Sequence, residues 1–160
     1  MSKIKTIDEL IEIRNDLKEK GKKVVFTNGC FDIIHTGHTR YLKEARALGD
    51  CLVVAVNSDA SVRQIKGEKR PVIPQAERAE IIAALESVDY VIIFTEPDPY
   101  KIIKLLKPDF LVKGGDWGSD AIIGSDIVEA AGGRVLSITY NKGASTTNII
   151  ERIQNRYCRG

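Results

Sequence analysis

Several residue types that would announce a particular chemistry are scarce in this chain. Among 160 residues there are 2 histidines, 3 cysteines and 1 tryptophan. The cysteines, Cys30, Cys51 and Cys158, fall at spacings that build no disulfide framework, and their odd count fits a reducing compartment, so a cytoplasmic protein is expected. No apolar run approaches the roughly 20 residues that a bilayer span requires. The N-terminus, with Lys3, Lys5, Asp8 and Glu9, lacks the apolar core of a signal peptide, and no membrane association is expected. Charge of one sign is not in excess either: 24 basic against 22 acidic residues leave a formal net charge of +2. That balance gives no field for nucleic acid and points to small-molecule partners. Internal repeats, low-complexity tracts and a second-domain boundary are absent. The length suits one domain over residues 1–160, with residues 1–21 an N-terminal helix packed on it.

What is present is a regular alternation of apolar strand-like runs with helical spacing. Thr6 followed by Glu9 forms a capping signal ahead of Ile7, Leu10, Ile11 and Leu17, and Gly21 supplies a stop. A strand over 23–27 is followed by a helix over about 37–48, and Cys51 to Val56 reads as a strand covered on both faces. Asn57-Ser58-Asp59 ends that strand, and the stretch following it up to Pro74 carries Arg63, Lys66, Lys69 and Arg70 with little sustained periodicity and is the longest candidate for a mobile loop. Beyond it, Ala79, Ile82, Ala83 and Leu85 mark a helix, and Tyr90 to Phe94 a strand. A short helix through Tyr100, Ile103 and Leu106 leads to the strand Phe110 to Val112. A helix near 125–131 stops at Gly132-Gly133, Val135 to Ile138 forms a fifth strand, and a last helix carries Ile149, Ile150 and Ile153. Five strands alternating with helices predict an α/β fold, a Rossmann-like doubly wound five-stranded parallel sheet. In such sheets ligands bind beyond the carboxyl ends of the strands. Residues 28–38, 57–59, 113–117 and 140–147 all follow strands and should converge.

Both histidines lie where the first strand hands over to a helix, in Thr27-Asn28-Gly29-Cys30-Phe31-Asp32-Ile33-Ile34-His35-Thr36-Gly37-His38. Free N–H groups and the positive dipole end of a helix make this junction an anion site, and two imidazoles one turn apart add donors aimed at it. Gly37 leaves room for close approach. The plain alternative is two histidines that merely decorate a loop; a second is a metal site using Cys30, His35 and His38, although no obvious fourth ligand accompanies them. Lys66 and Arg78 flank a Gly/Pro-bearing segment that can bring cations over a polyphosphate. Lys113-Gly114-Gly115-Asp116-Trp117 combines close-approach backbone, a carboxylate and a ring, suited to a base or ribose, yet it also reads as ordinary turn chemistry. Ser145-Thr146-Thr147 at the last helix start is either a second anion site or a plain cap.

The His35-Thr36-Gly37-His38 motif, after Thr27-Asn28-Gly29-Cys30-Phe31-Asp32, resembles the signature of the cytidylyltransferase-like nucleotidyltransferases. With residues 55–61, 66–72, 111–116 and 145–150 added, the chain is similar more narrowly to heptose-1-phosphate adenylyltransferase (ADP-heptose synthase) domains of lipopolysaccharide precursor synthesis. The resemblance implies a nucleotidyltransferase-type fold and transfer of an adenylyl group from ATP to D-glycero-D-manno-heptose 1-phosphate, with Mg²⁺, releasing pyrophosphate by in-line attack on the α-phosphate. A cytidylyltransferase acting on glycerol phosphate or another phosphorylated alcohol is the alternative within the class. The resemblance assigns His35, His38 and Lys66 to catalysis on the phosphates. It places Thr27, Asn28, Gly29, Phe31, Asp32, Gly37, Lys113, Gly114, Asp116, Ser145, Thr146 and Thr147 around the nucleotide, and Arg78 near the acceptor. It also implies a separate sugar kinase supplying the acceptor and a homo-oligomer. Two departures stand out: Tyr140-Asn141-Lys142-Gly143 replaces an Arg-Thr-x-Gly pattern, and Ile149 or Ile150 stands where relatives carry a helical arginine.

Overall fold

The computed structural model describes residues 1–115, 118–139 and 143–158. Helix α1 (Ile7–Glu19) opens with the anticipated capping box, in which Glu9 N–H donates to Thr6 Oγ1 at 3.3 Å and Thr6 N–H donates to Glu9 Oε2 at 2.7 Å. Then follow β1 (Val24–Gly29), α2 (Thr36–Arg46), β2 (Cys51–Asn57), α3 (Asp59–Lys66), α4 (Gln75–Ala83) and β3 (Tyr90–Phe94). The chain continues through α5 (Tyr100–Leu106), β4 (Phe110–Gly114), a 3₁₀ turn (Ser119–Ala121), α6 (Ser125–Ala130), β5 (Arg134–Ile138) and α7 (Thr146–Tyr157).

The five strands form one parallel sheet in the order β3-β2-β1-β4-β5. Alternating side chains divide the core into two layers, as a strand's period of two requires. Val24 and Phe26 of β1 join Cys51, Val53 and Ala55 of β2 beneath Leu10 of α1, Ile102 and Ile103 of α5 and Val128 of α6. Val25 joins Leu52, Val54 and Val56 on the opposite face, under Tyr41, Leu42 and Ala45 of α2 and Ala79 and Ile82 of α4. Helices thus cover both faces, and the chain reverses its direction of travel across the sheet between β1 and β4. That switch point opens a crevice at the carboxyl ends of the two strands. Strand β1 runs two residues further than the sequence suggests, carrying Asn28 and Gly29 to the rim of the crevice.

The N-terminal residues run along the outer side of β3. Lys5 N–H donates to Val91 O at 2.8 Å, Val91 N–H donates to Lys3 O at 2.9 Å, and Lys3 Nζ reaches the carbonyls of Leu85 and Val88.

One expectation is corrected. The stretch after Asp59 up to Pro74 is not an irregular loop throughout: most of α3 lies in it, capped by Ser58, whose Oγ accepts the Ser61 N–H at 3.2 Å. The remainder is fastened to Asp32, which accepts from Arg70 Nε at 2.5 Å and from the N–H groups of Val72 and Ile73, each at 2.9 Å. Among the described residues, no helix is long and apolar enough to cross a membrane.

Candidate active site

A cleft of about 840 Å³ lies at the switch point. Asn28 to Asp32, His35 and His38 line it from the β1–α2 region, Asn57 from β2, Lys113 and Gly114 from β4, and Gly143 to Thr147 from the start of α7. The grouping expected from strand order is therefore realised for these segments. Asp116, Trp117 and residues 140–142 lie outside the described residues. Lys66 closes the cleft from the end of α3.

His35 is the N-cap of α2, with φ −142° and ψ 173°, and its Nδ1 accepts the Gly37 N–H at 3.1 Å. A neutral ring whose Nδ1 accepts carries its proton on Nε2, so His35 offers an Nε2–H donor. His38 follows one turn later and stacks on it, with ring centroids 3.9 Å apart and planes at 29°. Phe31, at φ 46°, packs its ring 5.3 Å from that of His38 and closes over Gly29, where a Cβ would come within 3.0 Å of the Phe31 ring. Two stacked imidazoles cannot both carry charge cheaply. Burial holds His35 below the ordinary histidine value, and burial together with the neighbouring His35 pushes His38 down to about 4. Both rings are therefore neutral donors near pH 7. His38 Nδ1 is buried without a protein partner among the described residues, a cost of about 1–3 kcal/mol that folds tolerate chiefly where function needs it.

The N-terminus of α7 meets this assembly. Ser145 caps the helix by accepting the Asn148 N–H at 3.0 Å, and Thr146 Oγ1 donates to Ile33 O at 3.1 Å, tying α7 to the β1–α2 loop. Two helix N-termini, both longer than two turns, thus open on one cleft, and their dipoles add where an anion would sit.

Cations gather on the opposite flank. Burial raises the Cys30 thiol's pKa, while the charges of Lys66, Arg78, Arg70 and Lys113 act to lower it. Burial lowers the pKa of Lys113, a shift opposed by Cys30 and reinforced by Lys66. For Asp32, burial works upward, but the N–H groups of Ile73 and Val72 and the Arg70 guanidinium outweigh it, and the carboxyl is held below its usual range.

Three residues taken as ligand contacts are placed elsewhere. Thr27 is wholly buried, its hydroxyl bonded to Tyr41 Oη; the parity of β1 turns it towards α2, with Val25. Gly37 sits behind His35, its N–H already engaged, and a Cβ there would come 2.8 Å from the His35 ring. Arg78 has no exposed surface: Nε donates to Ile73 O at 2.8 Å, one Nη to Cys30 O at 2.5 Å and the other to Asp59 Oδ1 at 2.8 Å. It braces the cleft wall and is not among the residues that line the cleft. Sequence reasoning left out the segment after β3, Pro97 to Pro99, which also lines the cleft and which the strand-end rule alone would have added.

Among the described residues, no group of three or more His, Cys, Asp and Glu side chains is arranged to hold a metal ion. Asp32, a carboxylate of the cleft, has both oxygens committed to Arg70 and backbone N–H groups. The described residues therefore offer no ready ligand set for a resident divalent cation.

The site's surroundings agree with known proteins. Residues 26–152 match the family described as cytidylyltransferase-like. The bifunctional protein HldE of Geobacter metallireducens is 54% identical over 156 residues, 98% of this chain and 32% of the relative. That of Citrifermentans bemidjiense is likewise 54% identical over 156 residues, so the chain spans about a third of the length of the curated relatives it matches. The lipopolysaccharide core biosynthesis protein from Thermoplasma volcanium superposes with a TM-score of 0.62 at 32% identity, covering 78% of this chain and 100% of that one. Pantoate-beta-alanine ligase from Francisella tularensis, at a TM-score of 0.65 and 16% identity over 100% of this chain and 80% of that one, shares the fold. With its signature histidines at the sheet's switch point and the family match running from β1 into α7, the chain belongs to the cytidylyltransferase-like family.

Proposed function

We propose that this chain is a nucleotidyltransferase that moves the adenylyl group of ATP onto D-glycero-D-manno-heptose 1-phosphate, giving ADP-heptose and pyrophosphate. The observation that carries the chemistry is the stacked, neutral His35–His38 pair at the N-terminus of α2, beside a second helix N-terminus on a cleft sized for a nucleotide. The choice of acceptor rests on the resemblance to ADP-heptose synthase domains and on identity to the HldE proteins over nearly the whole chain.

An oxygen of the sugar phosphate forms a bond to the α-phosphorus as the bond from that phosphorus to the bridging oxygen breaks, and pyrophosphate leaves with the electron pair. A phosphate monoester has its second pKa near 6, so at pH 7 the nucleophile is already ionised and no general base is required. The protein's work is positioning and charge stabilisation. His35 Nε2–H and the N-termini of α2 and α7 donate to the phosphate oxygens where charge accumulates. Lys66 neutralises charge from the opposite flank. Mg²⁺ bound to the nucleotide supplies further neutralisation of the triphosphate. The acceptor is a product of anomeric phosphorylation, so a sugar kinase acts before this step. The reaction's soluble, charged substrates suit a cytoplasmic enzyme, and a homo-oligomer is compatible with it.

The test is pyrophosphate release with ATP, CTP, GTP and UTP against a panel of phosphorylated sugars and alcohols. Release only with ATP and heptose 1-phosphate is expected. A preference for CTP with glycerol phosphate would replace the assignment, and silence across the panel would end it. His35→Ala and His38→Ala each lower kcat by at least about tenfold with the fold retained.

A further inference from the structure

The β1–α2 loop is gripped from two sides. On one, α7 holds Ile33 through Thr146. On the other, the segment after α3 holds Asp32 through Arg70 Nε and the N–H groups of Val72 and Ile73. Since α3 follows β2 and α7 follows β5, and the sheet order sets these strands on opposite sides of the β1–β4 pair, the two grips form opposing walls of the cleft. In-line displacement requires the entering oxygen and the departing pyrophosphate to lie on opposite sides of the phosphorus. The two anionic pieces therefore need separate holders on opposite walls. The histidines and the α7 N-terminus occupy one.

Arg70 stands on the other. It lines the cleft with its side chain 15% exposed, while that of its partner Asp32 is 1% exposed. Only Nε is engaged; among the described residues, neither Nη group meets an acceptor. A guanidinium pinned at Nε by a buried carboxylate, with its Nη groups unengaged among the described residues, keeps the fork of N–H donors that takes phosphate in a bidentate pair. Little side-chain freedom remains to be lost on binding. Lys66 and Lys113 line the same cleft.

We infer that Arg70, locked by Asp32, is the residue that receives the phosphate of the sugar 1-phosphate acceptor, and that Asp32 is its positioning residue. This rests on the adenylyl-transfer reading and gives to Arg70 the place that Arg78, sealed in the wall, cannot fill.

The test is equilibrium binding of inorganic phosphate by calorimetry to the full chain saturated with α,β-methylene-ATP, a nucleotide that cannot react. Wild type binds phosphate; Arg70→Ala weakens it at least about tenfold while the Kd of the nucleotide analogue moves less than about threefold. Arg70→Lys, which preserves charge and serves if the alanine variant loosens the loop, also loses at least about tenfold, because an ammonium lacks the planar fork that holds Asp32 at Nε while presenting paired N–H donors to phosphate. No phosphate binding by wild type, equal loss of both ligands, or wild-type phosphate affinity in either variant would overturn the assignment. The measurement involves no turnover, so phosphate binding through Arg70 in a chain that transfers nothing would sink the transfer reading alone.

Discussion

Replacing Arg78 with methionine separates a brace from a substrate contact. Methionine fills much of the volume but removes three hydrogen bonds, to Cys30 O, Ile73 O and Asp59 Oδ1. Each buried carbonyl left without a donor costs about 1–3 kcal/mol. Asp59, 29% exposed, recovers part of its solvation, so its loss adds less than a fully buried charge would. The sum is about 3–5 kcal/mol, a large share of the roughly 5–15 kcal/mol that holds a domain together. Urea denaturation followed by circular dichroism should show a lower midpoint at unchanged slope. Because Cys30 O is one of the three partners, the β1–α2 loop loses a support, and kcat should fall at temperatures where the variant stays folded, with the acceptor KM shifted less than about threefold. Stability within about 1 kcal/mol of wild type, together with a raised acceptor KM alone, would show that Arg78 leaves its buried place to bind substrate, and would refute the bracing role.

Two further outcomes follow from the histidine turn. His38 titrates near 4 in the folded chain against 6.5 for an ordinary imidazole, so across that window the unfolded chain binds more protons; stability is intact above about pH 6.5 and declines as pH falls towards 4. His38→Gln should flatten that decline in urea midpoints collected from pH 7.5 to 4.5, and identical slopes would remove the buried neutral imidazole from the account. Gly37→Ala places a Cβ 2.8 Å from His35 Cε1 and 2.9 Å from Nδ1, so the ring must swing aside. Turnover should drop by roughly 10²-fold with little change in Tm, and full activity would mean that the observed ring position is not the working one.

The strands were legible because each is an apolar run closed by polar or glycine residues, and the strand-end rule gathers most of the cleft from the order of elements alone. Helix α3 was not legible. It has eight residues, buries only Ser61 and Val62, and leaves Ile65 52% exposed, so no apolar stripe accumulates in the sequence. The rigidity of residues 70–73 was equally hidden, because their anchor, Asp32, is some forty positions away and reads as part of a ligand motif. Motif membership misled at Thr27, Gly37 and Arg78 for a common reason: a residue can be required by a site without facing it. For Thr27 the parity of β1 already held the answer, since Val25 and Thr27 point towards the same helix layer. Nothing local distinguishes Arg78 from Arg70; only the folded chain shows that one guanidinium has every arm bonded and the other has only one.

The residues running beside β3 carry a consequence for colloidal behaviour. A lateral strand with unsatisfied amides is a template for a foreign chain, and parallel sheets, slow to assemble, expose such templates while folding. Here Val91 already exchanges both its N–H and its carbonyl with Lys3 and Lys5, and two ammonium groups stand at that margin. Trimming residues 1–6 would unseal it, and the shortened chain should aggregate on refolding at concentrations where the longer one stays clear in light scattering.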